Sequence, residues 1–70
     1  MVRRYLVVMD YEDSIGDRHI SNDVMNWEGD KPVLSVDDIR EIEEMYEREN
    51  YWRNVIITNL VYLGAVSYTH

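Results

Sequence analysis

Two stretches of this chain, RRYLVVMDY (residues 3–11) and NVIITNLVYL (residues 54–63), are apolar at successive positions and rich in aromatic and β-branched residues. Side chains along a strand point alternately to opposite faces. Each stretch therefore reads as a strand with two apolar faces, the pattern of a strand inside a sheet. Only one segment between them has helical periodicity. One helix covers one face of a sheet. Two apolar faces and a single cover constrain what the chain can fold into, and they leave one surface over.

In the first strand Tyr5, Val7, Met9 and Tyr11 point one way, with Leu6 and Val8 the other. Residues 12–17 cluster Asp, Ser and Gly, and Gly16 can supply a positive φ, so a hairpin turn follows. Residues 18–27 (RHISNDVMNW) read as the return strand. Their alternation is imperfect, which predicts a bulge near Asn22-Asp23. Polar residues on both faces mark an edge strand. After a loop around Pro32, Ser35 reads as an N-cap, and Asp38 three residues on completes a capping box. Placing residues at 100° intervals sets Ile39, Ile42 and Tyr46 on one stripe, flanked by Val36 and Met45. Asp37, Arg40, Glu41, Glu44, Glu47 and Arg48 lie opposite, with Glu44–Arg48 a favourable pair one turn apart. The helix is expected over residues 36–50. In the last strand Val55, Ile57, Val61 and Leu63 alternate with Ile56, Leu60 and Tyr62, and Gly64 ends it. Residues 65–70 read either as an extension or as a frayed end.

The expected fold is a single α+β domain over residues 1–70, of β-β-α-β order. Its three-stranded antiparallel sheet has the order 2-1-3, with a right-handed crossover and the helix on one face. A chain of 70 residues buries only about 60% of its unfolded surface, so external support is of value. Disulfides cannot provide it, because there is no Cys. If the row Tyr5, Val7, Met9, Tyr11 and the row Val55, Ile57, Val61, Leu63 coincide, they form an apolar face suited to a homodimer or a partner.

Charge restricts the partner. All fourteen carboxylates lie between Asp10 and Glu49, against Arg18, Lys31, Arg40 and Arg48, which gives that segment −10. Such a field repels phosphate backbones and attracts basic protein surfaces, so a protein with a basic surface is expected and direct nucleic-acid binding is not. The plainer reading is that the acidity maintains solubility. No membrane partner is expected, since no apolar stretch approaches the roughly 20 residues needed to span a bilayer. The run Tyr5–Met9 stops at Asp10, too short for a signal core. With no Cys, a cytoplasmic location is expected.

No motif for chemistry emerges. Counting a calcium loop from Asp10, Ile15 stands where Gly is required and Ser21 where Glu is required. His19 has no second ligand at metal-binding spacing. The serines lack a nucleophile setting, and the glycines are isolated. The expectation is a protein that is not an enzyme, with no cofactor and no metal.

The candidate binding residues are Asp10, Glu12, Asp13 and Asp17 around the hairpin, with Asp37, Glu41, Glu44 and Glu47 on the helix. Through its opening strand RYLVVMDYED, its capped acidic helix LSVDDIREIEEMYEREN and the strand NVIITNLVYLG behind it, the span Arg3–Gly64 resembles a known group. These are the very short acidic accessory proteins encoded by phages and prophages of Gram-positive bacteria. The resemblance implies an anti-defence role of the anti-CRISPR or anti-restriction kind, in which a nucleic-acid mimic occupies the basic groove of a host enzyme. The alternative is a homo-oligomeric structural or virion accessory protein.

Overall fold

The computed structural model describes residues 2–29 and 34–65. The chain runs β1 (Val2–Glu12), β2 (Arg18–Glu28), α1 (Val36–Asn50) and β3 (Arg53–Ala65). The strands form one antiparallel sheet in the order β2-β1-β3. The fold is the expected small α+β domain, with β1 in the centre and one helix packed on the sheet. Ala65 closes β3, which runs past Gly64; residues 66–70 lie outside the described residues.

Each helix end has a local cause. The Ser35 Oγ accepts from Asp38 N at 3.1 Å, and Ser35 N donates to the Asp38 carboxylate at 3.0 Å. This reciprocal pair satisfies donors that the first turn cannot. At the other end Tyr51 takes the left-handed conformation (φ 57°), and Trp52 N donates to Glu47 O. The β1–β2 turn is held by Asp13, whose carboxylate accepts from the backbone N–H of Ile15 and Asp17, both at 3.0 Å. Gly16 supplies φ +92°, a conformation costly for residues with a Cβ.

The core lies between α1 and one sheet face. It comprises Tyr5, Val7 and Met9 of β1, Met25 of β2, Val55 of β3, and Ile42 and Tyr46 of α1. Val36, expected at the edge of the buried stripe, is exposed at the helix start. The end of the core near the hairpin is closed by aromatics: Trp52 stacks on Tyr11 with ring centroids 3.7 Å apart.

Two expectations about strand regularity are corrected. β2 pairs with β1 in unbroken register from Arg18 to Glu28, with no bulge at Asn22-Asp23. An edge strand has water on its polar positions and needs no repair of its alternation. The irregularities are in β3. Val8 pairs with Asn59 but Met9 with Ile57, so Thr58 is an extra residue. Its hydroxyl donates to Val8 O at 3.3 Å, and the Asn59 side chain accepts from Leu60 N at 2.9 Å. A bulge reverses the parity of everything beyond it. Val55 and Ile57 therefore share the helix side with Leu60 and Tyr62, whereas Val61 pairs with Leu6 on the opposite side. Leu63 is the extra residue of a second shift between Arg4 and Tyr5.

The proposed apolar face is corrected with it. Tyr5, Val7, Met9 and Val55 are core, buried beneath the helix, with Ile57 and Tyr11 packed beside them. The face left open is the reverse one, carrying Leu6, Val8, Ile20, Val24, Ile56 and Val61.

Beyond the apolar layer, α1 is fastened to both edge strands. Toward β2, the Tyr46 hydroxyl donates to Asp23 at 2.8 Å. Burial and then the Asp23 carboxylate push that phenol well above the usual tyrosine range. Toward β3, Ile57 N donates to the Glu43 carboxylate at 2.9 Å and Val55 N to that of Glu47 at 3.1 Å. The spacings match. Four helical residues rise about 6 Å, and two strand residues about 6.8 Å, with α1 and β3 antiparallel. Hydrogen bonds to a charged acceptor contribute about 1.5–3 kcal/mol each. Glu43→Ala is expected to lower the free energy of unfolding by about 1–3 kcal/mol, since a partly buried N–H is left without its partner. Glu43→Gln, which keeps an acceptor oxygen, should lose less. Urea unfolding checks this, and equal midpoints for Glu43→Ala and wild type would refute it.

Candidate protein-binding surface

The candidate carboxylates divide into those engaged within the fold and those left free. Asp10 and Glu12 share Arg18, with N–O distances of 3.0 and 3.1 Å. Glu12 also accepts from the Asn54 side chain at 3.1 Å. Cross-strand alternation puts both on the sheet face away from α1. Asp13 holds the hairpin turn and meets His19 Nε2 at 2.7 Å. Glu47 caps the β3 edge. These four carboxylates serve the structure first.

Asp17, Asp37, Glu41 and Glu44 are exposed, and their side chains take no part in the hydrogen bonds or ion pairs formed among the described residues. The expected Glu44–Arg48 pair is absent from those contacts; Arg40 instead lies 3.8 Å from Glu43. Asp17 sits at the hairpin tip. The helix runs toward the hairpin and ends beside it, as the pairing of Glu12 with Arg53 shows. Asp37, Glu41 and Glu44 are spaced four and three residues apart on α1, so they form a row along one outward stripe about 10 Å long. The eight carboxylates thus do not make one face. Those of the helix are a surface of their own, on the far side of the molecule from Asp10 and Glu12.

The rigidity of this row follows from what lies under it. Ile42 and Tyr46, on the reverse of the same helix, are buried in the core. Asp37 and Asp38 stand in the first turn, where negative charge meets the positive end of the helix dipole. The row is therefore presented on a backbone held by the core beneath it.

Several residues that matter to these surfaces carry no signal in the linear pattern. Glu43 reads as one more solvated acid, yet it is the one charged residue buried among the described residues. A carboxylate adjacent to the core stripe, at position i+1 from Ile42, is the feature that could have marked it. Asp23 becomes a hydrogen-bond partner only because α1 crosses the sheet. Of the aromatics next to the helix end, Tyr51 is fully outside and Trp52 half-buried.

Among the described residues there is no group of three or more His, Asp or Glu side chains able to hold a metal ion. No helix in the described residues is long and apolar enough to cross a membrane. Comparison with protein-family models, with curated proteins and with solved structures finds no match to this chain.

The Asp13 pair gives the hairpin a dependence on pH. The hydrogen bond with His19, and then those from Asp17 and Ile15, hold the Asp13 carboxyl below its ordinary value of 3.8. A depressed pKa stabilises the fold where the carboxylate is ionised in both states. The contribution is complete above pH 3.8 and is lost as pH falls through the lower folded value. Asp13→Asn is expected to flatten this part of the acid limb. Unfolding midpoints of both proteins over roughly pH 2–6 provide the check; parallel profiles would show that Asp13 contributes nothing.

Proposed function

We propose that the protein is an acidic binding module that docks the outer face of α1 on a basic surface of a partner protein. The observation that carries this reading is the row Asp37, Glu41 and Glu44. These side chains are exposed, lie on one stripe of a rigid helix, and have no partner among the described residues. Carboxylates needed only for solubility could be scattered over the surface. Of the eight candidates, the engaged ones lie at the hairpin and the β3 edge, and three of the four free ones, Asp37, Glu41 and Glu44, line up along the helix. The basic residues nearest in sequence, Arg40 and Arg48, are too few to neutralise the stripe.

Electrostatic complementarity of this kind raises association rates and selects partners more than it adds affinity. The partner would present Lys and Arg at helix-turn spacing. The resemblance to short acidic phage proteins extends the proposal to a host defence enzyme or another nucleic-acid-binding protein, whose phosphate-binding groove the carboxylates would occupy. Non-enzymatic action follows from the same reading, since a rigid row of carboxylates on a helix positions charge without building a reaction centre. The uncovered sheet face supports the second reading, a self-associating structural component.

The test is capture from host lysate at low and high salt, with mass spectrometry to name the partner and titration to measure it. Asp37→Asn, Glu41→Gln and Glu44→Gln combined should weaken that binding about ten- to hundred-fold, at 0.2–1 kcal/mol or somewhat more per charge pair. The far-UV spectrum should not change. A captured partner whose affinity ignores both salt and the triple substitution would overturn the proposal.

A further inference from the structure

We infer that the outer edge of β2 is a docking site for an extended segment of a partner protein. The segment adds as a fourth, antiparallel strand, with apolar side chains on the open sheet face and basic side chains on the helix side. The site is distinct from the acidic stripe of α1 and does not rest on it.

The two edges of the sheet differ. On β3, the outward N–H groups of Val55 and Ile57 are taken by Glu47 and Glu43. The hairpin fixes which groups of β2 face outward. Asp13 N donates to Asp17 O at 2.9 Å, and Gly16 N to Asp13 O at 3.2 Å. Bonded and unbonded pairs alternate along an antiparallel ladder, so β2 is bonded to β1 at His19, Ser21, Asp23 and Met25. Ile20, Asn22, Val24 and Asn26 therefore turn their backbone N–H and C=O away from the sheet. Among the described residues these groups have no partner. A bulge, a Pro or a very short strand blunts an exposed edge. β2 has none of these; its 11 residues run in unbroken register. One edge is thus closed to strand addition and the other is open to it.

The side chains along the open edge define the strand that fits. On the open face Ile20 and Val24, 78% and 51% exposed, flank Asn22 and match apolar side chains. The helix side is acidic. One oxygen of the exposed Asp23 accepts from the Tyr46 hydroxyl at 2.8 Å, and the other takes no hydrogen bond among the described residues. Glu49 stands three residues beyond Tyr46 on the same helix stripe, and its charge acts on that hydroxyl. In an added antiparallel strand, the residue facing Asp23 sits in an unbonded pair, where side chains approach most closely. A Lys or Arg at that position meets Asp23 directly.

A second copy of this chain does not supply such a cation. In its own β2, Arg18 is already shared by Asp10 and Glu12, and His19 is bonded to Asp13. Its net charge of −7 also repeats that of the first copy. Charge complementarity therefore selects a basic segment, in which main-chain hydrogen bonds give affinity and the alternating side chains give specificity.

The test uses a dye-labelled, capped peptide of about nine residues alternating Val and Lys, long enough to span residues 18–26. Fluorescence anisotropy at near-physiological salt is expected to give a dissociation constant on the order of 10–100 μM. Backbone N-methylation separates strand addition from general attraction to an acidic protein. The Val residues lie opposite Ile20, Asn22 and Val24, so their N–H groups point at β2, and methylating them should weaken binding at least about ten-fold. The Lys N–H groups point away, and methylating those should leave binding unchanged. On the protein, Asp23→Asn should weaken binding about two- to five-fold. Asn22→Pro removes one outward N–H at a position where an edge strand tolerates Pro, and it should weaken binding at least about ten-fold while the far-UV spectrum is kept. Should Asn22→Pro lose that spectrum, the two methylated peptides decide by themselves. Failure of the unmodified peptide to bind overturns the inference, as does equal binding of both methylated forms. A wild type that dimerises through β2 and excludes the peptide overturns it as well.

Discussion

The clamp formed by Glu43 and Glu47 on the N–H groups of Ile57 and Val55 is the interaction on which the rest of this structure depends. A single helix of 15 residues, about 22 Å long, must hold a sheet whose longest strand spans about 43 Å. Packing through Ile42 and Tyr46 alone would leave the helix free to slide along the pleats. Two carboxylates one turn apart meet two donors two residues apart, and that match sets helix register against β3. The same bonds occupy the outer edge of β3, which would otherwise template the addition of another strand. Tyr46 and Asp23 repeat the device toward β2 with a single bond.

That arrangement divides the sheet into a finished face and an unfinished one. Beneath the helix the side chains reach complete burial, as at Val7 and Ile42. The other face retains Ile20, Val24, Ile56 and Val61 in water. The division depends on Thr58. Without that extra residue, Val61 would join Val55 and Ile57 under the helix, and Leu60 and Tyr62 would fall on the open side. The bulge thus decides which apolar residues form the core and which form a surface.

Charge is divided in a comparable way. Asp13 and Asp38 satisfy backbone donors in a turn and a helix start. Asp10 and Glu12 are joined by Arg18. Glu43 and Glu47 fasten the helix. Asp37, Glu41 and Glu44 do none of this, and the helix displays them as a row. The net charge alone does not distinguish these uses, although each places a different demand on the fold.

What the sequence determined by itself is the local structure and, through it, the topology. The capping box at Ser35, the turn at Asp13–Gly16 and the stripe Ile42–Tyr46 are short-range signals, readable within a few residues. Two strands apolar on both faces, with one helix between them, then leave the order 2-1-3 as the economical solution. The tertiary structure alone decided which face of β1 receives the helix, because Tyr5, Val7 and Met9 are no more apolar than Leu6 and Val8. It also decided the function of individual carboxylates. Glu43 and Glu44 are neighbours of identical chemistry, and 100° of helix rotation puts one against a strand N–H and the other in solvent. Such differences arise between elements distant in the chain, where hydrogen-bond geometry and strand parity act, and no local pattern records them.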